Sequence, residues 1–368
     1  MGVLTEIYVD PSINANSGTG TIGDAFGDLQ YALNTATRDA TNGNRINIKA
    51  GTAEVLTGSI SLTTFGAPGN GKPLVFEGYT SAAGDGGVGA INGNNGNFTI
   101  WAGSWDYTSF KFLELTNTGT ATIITMRDYG SLINCIVHLA NANGVVMTCL
   151  DGGTIAIGNH VYDVSGYGIY PTAKASSVQY NYLANGGTYS FSTAIYNQSR
   201  YCVINGNIIS ISGATIGIGQ DQYYSCVQHN SILSSSGTGK GIDLYAYYGF
   251  GGICSDNLIE GFSGVGGKGI NADADVVNLV NNAVYNCTTA YSIGDQVIHD
   301  GDGNETLGAT PFAKSGSDTF ANRAVYFAPV AAVQGTAYPT AFRLDKGAVQ
   351  HADPAGGGGR PEFRGSNL

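Results

Sequence analysis

Positive charge is scarce in this chain and nowhere concentrated. Of 368 residues, 16 are Lys or Arg against 27 Asp or Glu, a formal net charge of −11. Nucleic-acid binding needs a basic patch against phosphates, so that function class is excluded. Also missing is an apolar run of about 18 residues, the length a membrane-crossing helix requires. The opening MGVLTEIYVDPSINANSG has no basic stretch followed by an apolar one, so no secretory leader is expected. Glu6 stands where a myristoylation signal needs Ser or Thr. The six cysteines contain no C-x-x-C pair, which removes zinc-type spacing. In the run GAPGNGKP, Pro73 replaces the Ser or Thr that a phosphate-binding loop uses on magnesium, and no helix can follow it at once.

What is abundant is glycine, 56 residues, about twice the average usage of roughly 7%. Glycine with Asn, Ser and Thr, and only 12% charged residues, suits short strands joined by tight turns rather than helices. A repeat then emerges. Asn134, Asn159, Asn181, Asn207, Asn230, Asn257 and Asn282 follow one another at steps of 25, 22, 26, 23, 27 and 25 residues, each inside a short apolar run. Those runs read LINCIV, IAIGNHV, VQYNYL, VINGNII, VQHNSIL, ICSDNLI and NLVNNAV. A second run follows in each unit: GVVM, GYGIY, TAIYN, IGIGQ, GIDLY, GINAD and YSIGD. Two or three strands per unit without a helix describe one coil of a parallel β-helix, an all-β solenoid of roughly ten coils. The L-x-x-L-x-L frame of leucine-rich repeats is absent.

The asparagines have a physical task in such a coil. Asn tolerates the left-handed backbone of a sharp corner, and its amide can both donate to and accept from the Asn one coil away. We therefore expect these seven residues to form a buried ladder. Cys202, Cys226 and Cys254 lie five, four and three residues before a repeat asparagine. They read as small, reduced, buried groups in neighbouring turns, with a disulfide ladder as the alternative. Ahead of the repeats, residues 24–35 (DAFGDLQYALNT) are expected to form a short amphipathic helix with Asp24 as its N-cap, covering the open end of the solenoid. Three regions follow: 1–45 with the capping helix, 46–300 as the β-helix, and 301–368 as an irregular extension for assembly contacts.

The segment FGDLQYAL, the INIKAGT strand and turn, and the aligned asparagines together resemble the pectate-lyase-like right-handed parallel β-helix superfamily over roughly residues 20–300. That superfamily holds pectate lyases, polygalacturonases, phage tailspikes and other virion proteins. The opening IYVDP and the closing LDKGAVQHADP are similar to bacteriophage structural proteins. The resemblance implies a right-handed coil. It does not carry over the polygalacturonase motif, since neither Asp-Asp nor Gly-His-Gly occurs.

Candidate chemistry rests on the second strands. Asp221, Asp243, Asp273, Asp275 and Asp295 lie near their ends on successive coils, and paired carboxylates can cut glycosidic bonds. Asp243 follows its strand isoleucine by one residue and Asp221 by three, so Asp243 is expected to face another way. The catalytic candidates are Asp221, Asp243, Asp273 and Asp295, and Asp273 with Asp275 are candidate calcium ligands. The bland reading of all five is corner and loop residues. His138, His160 and His229 adjoin repeat asparagines and read as surface or stacked groups. Tyr223, Tyr224, Tyr245, Tyr247 and Tyr248 cluster in loops, suited to a protein interface or to sugar stacking. No cofactor is expected. The first functional reading is a non-enzymatic virion component, a head decoration or tail-associated protein. It would be made in a host cytoplasm and bound to other virion proteins, as a homo-oligomer such as a trimer. The alternatives are a tailspike-type depolymerase or lyase acting on a surface glycan, and a carbohydrate-binding adhesin.

Overall fold

The chain is a right-handed parallel β-helix with very little helix, seen here in a computed structural model. It describes residues 3–13, 17–102, 105–148, 152–172, 174–213, 215–222, 224–235, 237–245, 252–272, 277–294, 299–300, 304–312 and 314. Three parallel sheets wrap one core: sheet I with twelve strands, sheet II with eleven and sheet III with eight, giving about eight three-sided turns. Sheet I begins at Thr5–Val9, which pairs in parallel with Asn44–Lys49, so strand pairing starts well before the asparagine repeat. No helix among the described residues is long and apolar enough to cross a membrane.

One residue per turn feeds each interior column. In sheet I the column runs Ile46, Phe76, Phe110, Leu132, Ala156, Val178, Ile204 and Val227. Sheet II contributes Leu115, Val137, Val161, Leu183, Ile209, Ile232 and Ile259, and sheet III Ile124, Val145, Ile169, Ile195, Ile218, Ile242 and Ile270. All are buried and stack like on like, as parallel in-register strands require.

The corner between sheets I and II divides the two tasks expected of one asparagine between adjacent residues. The left-handed position is held by Phe112, Asn134, Tyr180, His229, Asp256 and Asn281, with φ from 50° to 57°, and by Gly158 and Gly206 at 69° and 66°. The next residue is the ladder position. There Asn159, Asn181, Asn207, Asn230, Asn257, Asn282 and Asn304 link amide to carbonyl at 2.9–3.0 Å. Asn134 therefore stands outside the ladder, contrary to expectation. It turns the corner, and Cys135 takes the ladder position, donating its backbone N–H to Asn159 Oδ1 at 2.9 Å. Asn304 extends the ladder one turn beyond Asn282.

The capping helix spans Leu29–Thr35, and its N-cap is Asp28 rather than Asp24, with Asp28 accepting from the Tyr31 N–H at 2.5 Å. Asp24 is used elsewhere, closing a tight turn with Thr21. Leu29, Ala32 and Leu33 are fully buried against the end of the core. Glu54 occupies the sheet II interior column next to Ile91 and accepts the Leu29 N–H at 3.1 Å. Burial pushes its carboxyl up to about 7.

Among the described cysteines, Cys135, Cys202, Cys226, Cys254 and Cys287 are free. Cys226 pairs in register with Val203 and Ile253, whereas Cys254 pairs with Val227, so they stand in different columns and no ladder of disulfides can form. At the other end, Phe312 is buried and Lys314 pairs with Glu260. The extension from 315 to 368 lies outside the described residues.

Candidate functional site

The candidate residues Asp221 and Asp243 lie on sheet III. Its strands place one row per turn, and outward residues alternate with the buried isoleucine column. The position after the isoleucine holds Tyr170, Tyr196, Gly219, Asp243 and Asn271 in successive turns, and Ser292 continues the row after Tyr291. Two residues further along come Thr172, Gln198, Asp221 and Tyr245, fixed by backbone bonds to the preceding turn. Residues one and three places after the isoleucine share a face because strand side chains alternate with period two. Asp243 thus faces the same way as Asp221, which corrects the expectation that it points elsewhere.

Three tyrosines build an aromatic patch on this face. Tyr167 lies 4.7 Å from both Tyr170 and Tyr196, and Tyr170 stacks on Tyr196 at 5.6 Å. Gly219 is needed beside them, since a side chain there would meet the Tyr196 ring at 2.9 Å. Tyr170 donates its hydroxyl to Gln198 Oε1 at 2.6 Å, and Gln198 Nε2 donates to the Tyr196 hydroxyl at 3.1 Å. Both then reach Asp221 Oδ2, Gln198 at 3.4 Å and Tyr196 at 3.5 Å. Desolvation raises the Asp221 carboxyl above its ordinary value, and these two bonds only partly offset it. Burial likewise raises the Tyr170 and Tyr196 hydroxyls.

A charged strip continues the face. Lys240 Nζ lies 2.7 Å from Asp243 Oδ2, and Asn271 Nδ2 donates to Asp243 Oδ1 at 2.8 Å. Lys268 Nζ donates to Asn271 Oδ1 at 2.5 Å and to Ser292 Oγ at 2.9 Å. Asp221 and Asp243 stand one turn and two residues apart, about 8 Å between Cα atoms from a ~4.8 Å strand spacing and a ~3.3 Å rise. Asp273, Asp275 and Asp295, with the calcium suggestion attached to the first two, lie outside the described residues. So do Tyr223, Tyr247 and Tyr248. Among the described residues no cluster of three or more His, Cys, Asp or Glu is placed to hold a metal ion.

The histidines sit on other faces. His138 Nε2 is 2.8 Å from Glu114 Oε1, and its ring stacks on Tyr162 at 4.6 Å on the outside of sheet II. His160 continues that stack at 4.5 Å from Tyr162. His229 turns a corner and bonds Asn205 Oδ1 at 3.2 Å. The tyrosine patch escaped the sequence reading, although its signal is present: in GYGIY and TAIYN the tyrosine after the isoleucine has outward parity.

No protein-family model matches the chain, and no curated protein does. Among solved structures, the pectate lyase Pel9A superposes with a TM-score of 0.55 at 14% identity, covering 95% of this chain and 98% of that one. A GH136 lacto-N-biosidase from Eubacterium ramulus gives 0.47 at 11% identity over 82% of this chain and 67% of its own. A DFA-IIIase from Arthrobacter chlorophenolicus A6 gives 0.37 at 11% over 93% and 92%. The first likeness establishes a pectate-lyase-like β-helix fold.

Proposed function

We propose that this protein binds an extended polysaccharide along the outer face of sheet III and cuts it there. The observation that carries the reading is the continuous strip from Tyr167, Tyr170 and Tyr196 through Gln198 and Asp221 to Asp243 and Lys240. Aromatic faces stack on the apolar faces of sugar rings, and amide, hydroxyl and ammonium groups bond their substituents. Asp221 is the proton-transfer group, because a raised carboxyl suits acid–base work nearer neutrality. Asp243 is its partner, held by Lys240 and Asn271. Carboxyl pairs that flank a glycosidic bond stand roughly 5–9.5 Å apart, the scale set here by adjacent turns.

The test is incubation with a panel of acidic and neutral polysaccharides, reading new reducing ends for hydrolysis and ultraviolet absorbance of unsaturated ends for elimination. Chain shortening that disappears in Asp221→Asn supports the reading. Binding without shortening would leave an adhesin, and neither binding nor shortening would sink it. Nothing in the described geometry supports a virion component, and residues 315–368, the extension expected to make assembly contacts, lie outside those described.

A further inference from the structure

A second feature lies on sheet I, on a different side of the solenoid from the strip above. A hollow of about 320 Å³ opens there, lined by Leu4, Asn42, Pro73, Tyr107, Ser109 and Lys111 among others. Its size matches the lower end of small-molecule clefts, roughly 300–1,000 Å³. Strand register puts Pro73, Tyr107 and Tyr129 in one column on consecutive turns. Tyr107 and Tyr129 stack face to face, 4.6 Å apart and 9° from parallel. Gly152 closes the far side of Tyr129, where any side chain would meet the ring at 2.4 Å. The column is therefore filled beyond Tyr129, and Pro73, Tyr107 and Tyr129 all line the hollow.

Both tyrosines adopt left-handed backbone, with φ of 54° and 57°. The same left-handed corner recurs at Ala175, Tyr201 and Tyr224, so the backbone fixes where these rings stand in the column. The polar side of the hollow is equally specific. Lys111 has no ion-pair partner among the described residues, and its register neighbour Glu77 is taken by Arg45 at 3.2 Å. An unclaimed lysine thus lines the same hollow as the two tyrosines, together with Ser109 and Asn42.

We propose that this hollow is a second glycan-binding site that takes one anionic sugar ring, its apolar face on Tyr107 and its acid group on Lys111. It rests on the reading of the protein as glycan-active and adds an anchoring point apart from the cutting face. An aromatic wall takes the apolar face of the ring, and a charge-assisted bond to Lys111 sets the preference for an acid.

Two probes that differ only at C6 test it: methyl β-D-glucuronide and methyl β-D-glucoside, titrated by ligand-observed NMR. The wild type is expected to prefer the glucuronide. Lys111→Gln, at a half-exposed position that should leave thermal unfolding unchanged, should weaken the glucuronide about tenfold and leave the glucoside unaltered. Tyr107→Ala should weaken both, and Tyr196→Ala on sheet III should weaken neither at this site. Equal glucuronide affinity in wild type and Lys111→Gln overturns the proposal, as does a wild type without preference. Loss in Tyr196→Ala alone also overturns it, by moving the ring to sheet III and leaving the proposed function standing. Lys111-dependent glucuronide binding in a protein that neither binds nor shortens any polymer would sink that function and keep the hollow.

Discussion

Asn230 Oδ1 accepts two bonds from Asn207, one from its backbone N–H at 3.0 Å and one from its amide at 3.0 Å. The second amide hydrogen of Asn207 goes to Val178 O at 2.9 Å, and Asn207 Oδ1 in turn receives both donors of Asn181. Every buried polar atom of the side chain is thereby satisfied inside a column that water does not enter.

Replacing this residue tests the column directly. Asn207→Leu leaves the two Asn181 donors without partners and removes one bond from the Val178 carbonyl, so a loss of about 3 kcal/mol is expected in urea unfolding. Asn304→Leu breaks similar bonds at a half-exposed end and should cost less. Equal, small losses at both sites would refute a buried ladder.

Tyr201 adopts φ of 59° and stacks on Tyr224 at 5.5 Å, both exposed. Tyr201→Gly exchanges the lost stacking for a relaxed backbone and should change thermal stability little. Tyr201→Val keeps the strain, adds a branched Cβ, and should cost about 1–3 kcal/mol.

Glu54 gives the fold a pH dependence of definite sign. Its carboxyl sits at about 7 in the fold against 4.5 in the unfolded chain, so the fold holds a proton that the unfolded chain releases. Its contribution is fully present below pH 4.5 and is lost as pH rises to about 7, on the order of 2–3 kcal/mol. Glu54→Gln should melt like the wild type at pH 4.5 and higher than the wild type at pH 8. A constant difference across that window would contradict the buried carboxyl.

On sheet III, Asp221→Asn should reduce chain cutting about 100-fold or more without altering the melting temperature. Tyr196→Phe removes a bond that favours ionised Asp221, so the Asp221 limb of the pH–rate profile should move upward. A downward shift would show that Tyr196 does not act on that carboxyl.

Thiol mapping offers a check on burial. Burial pushes Cys135 up to about 12 and Cys287 up to about 11, and raises Cys202 and Cys254 as well. Alkylation of the native protein at pH 8, read by peptide mass, should mark half-buried Cys226 well before Cys135, Cys202 or Cys254.

The solenoid was legible in the sequence because one unit repeats, and stacking converts that repeat into columns. The Asn134 misplacement has a local cause. Corner and ladder residues are neighbours, Asn suits both, and in one turn, Asn134-Cys135, only the corner holds Asn. Asp28 rather than Asp24 caps the helix because Asp24 is held in a local Thr21–Asp24 turn, which apolar periodicity does not reveal. The sheet III face was hidden differently. Tyr167 and Tyr170 share one repeat and Tyr196 belongs to the next, and only the register of the turns brings its ring within 6 Å of theirs. The hollow at Lys111 was illegible altogether, since Leu4, Asn42 and Tyr107 are far apart in the chain.

The asparagine column also has a direction. Each link runs from the earlier turn to the later one, from Asn159 donating to Asn181 up to Asn282 donating to Asn304. Like-oriented hydrogen bonds polarise one another, so each added turn strengthens those already formed. The two termini of the column are consequently unlike, one ending in a donor from Cys135 and the other in the amide of Asn304. A turn inserted anywhere between them must supply its own Asn in register, or it splits one cooperative wire into two shorter ones.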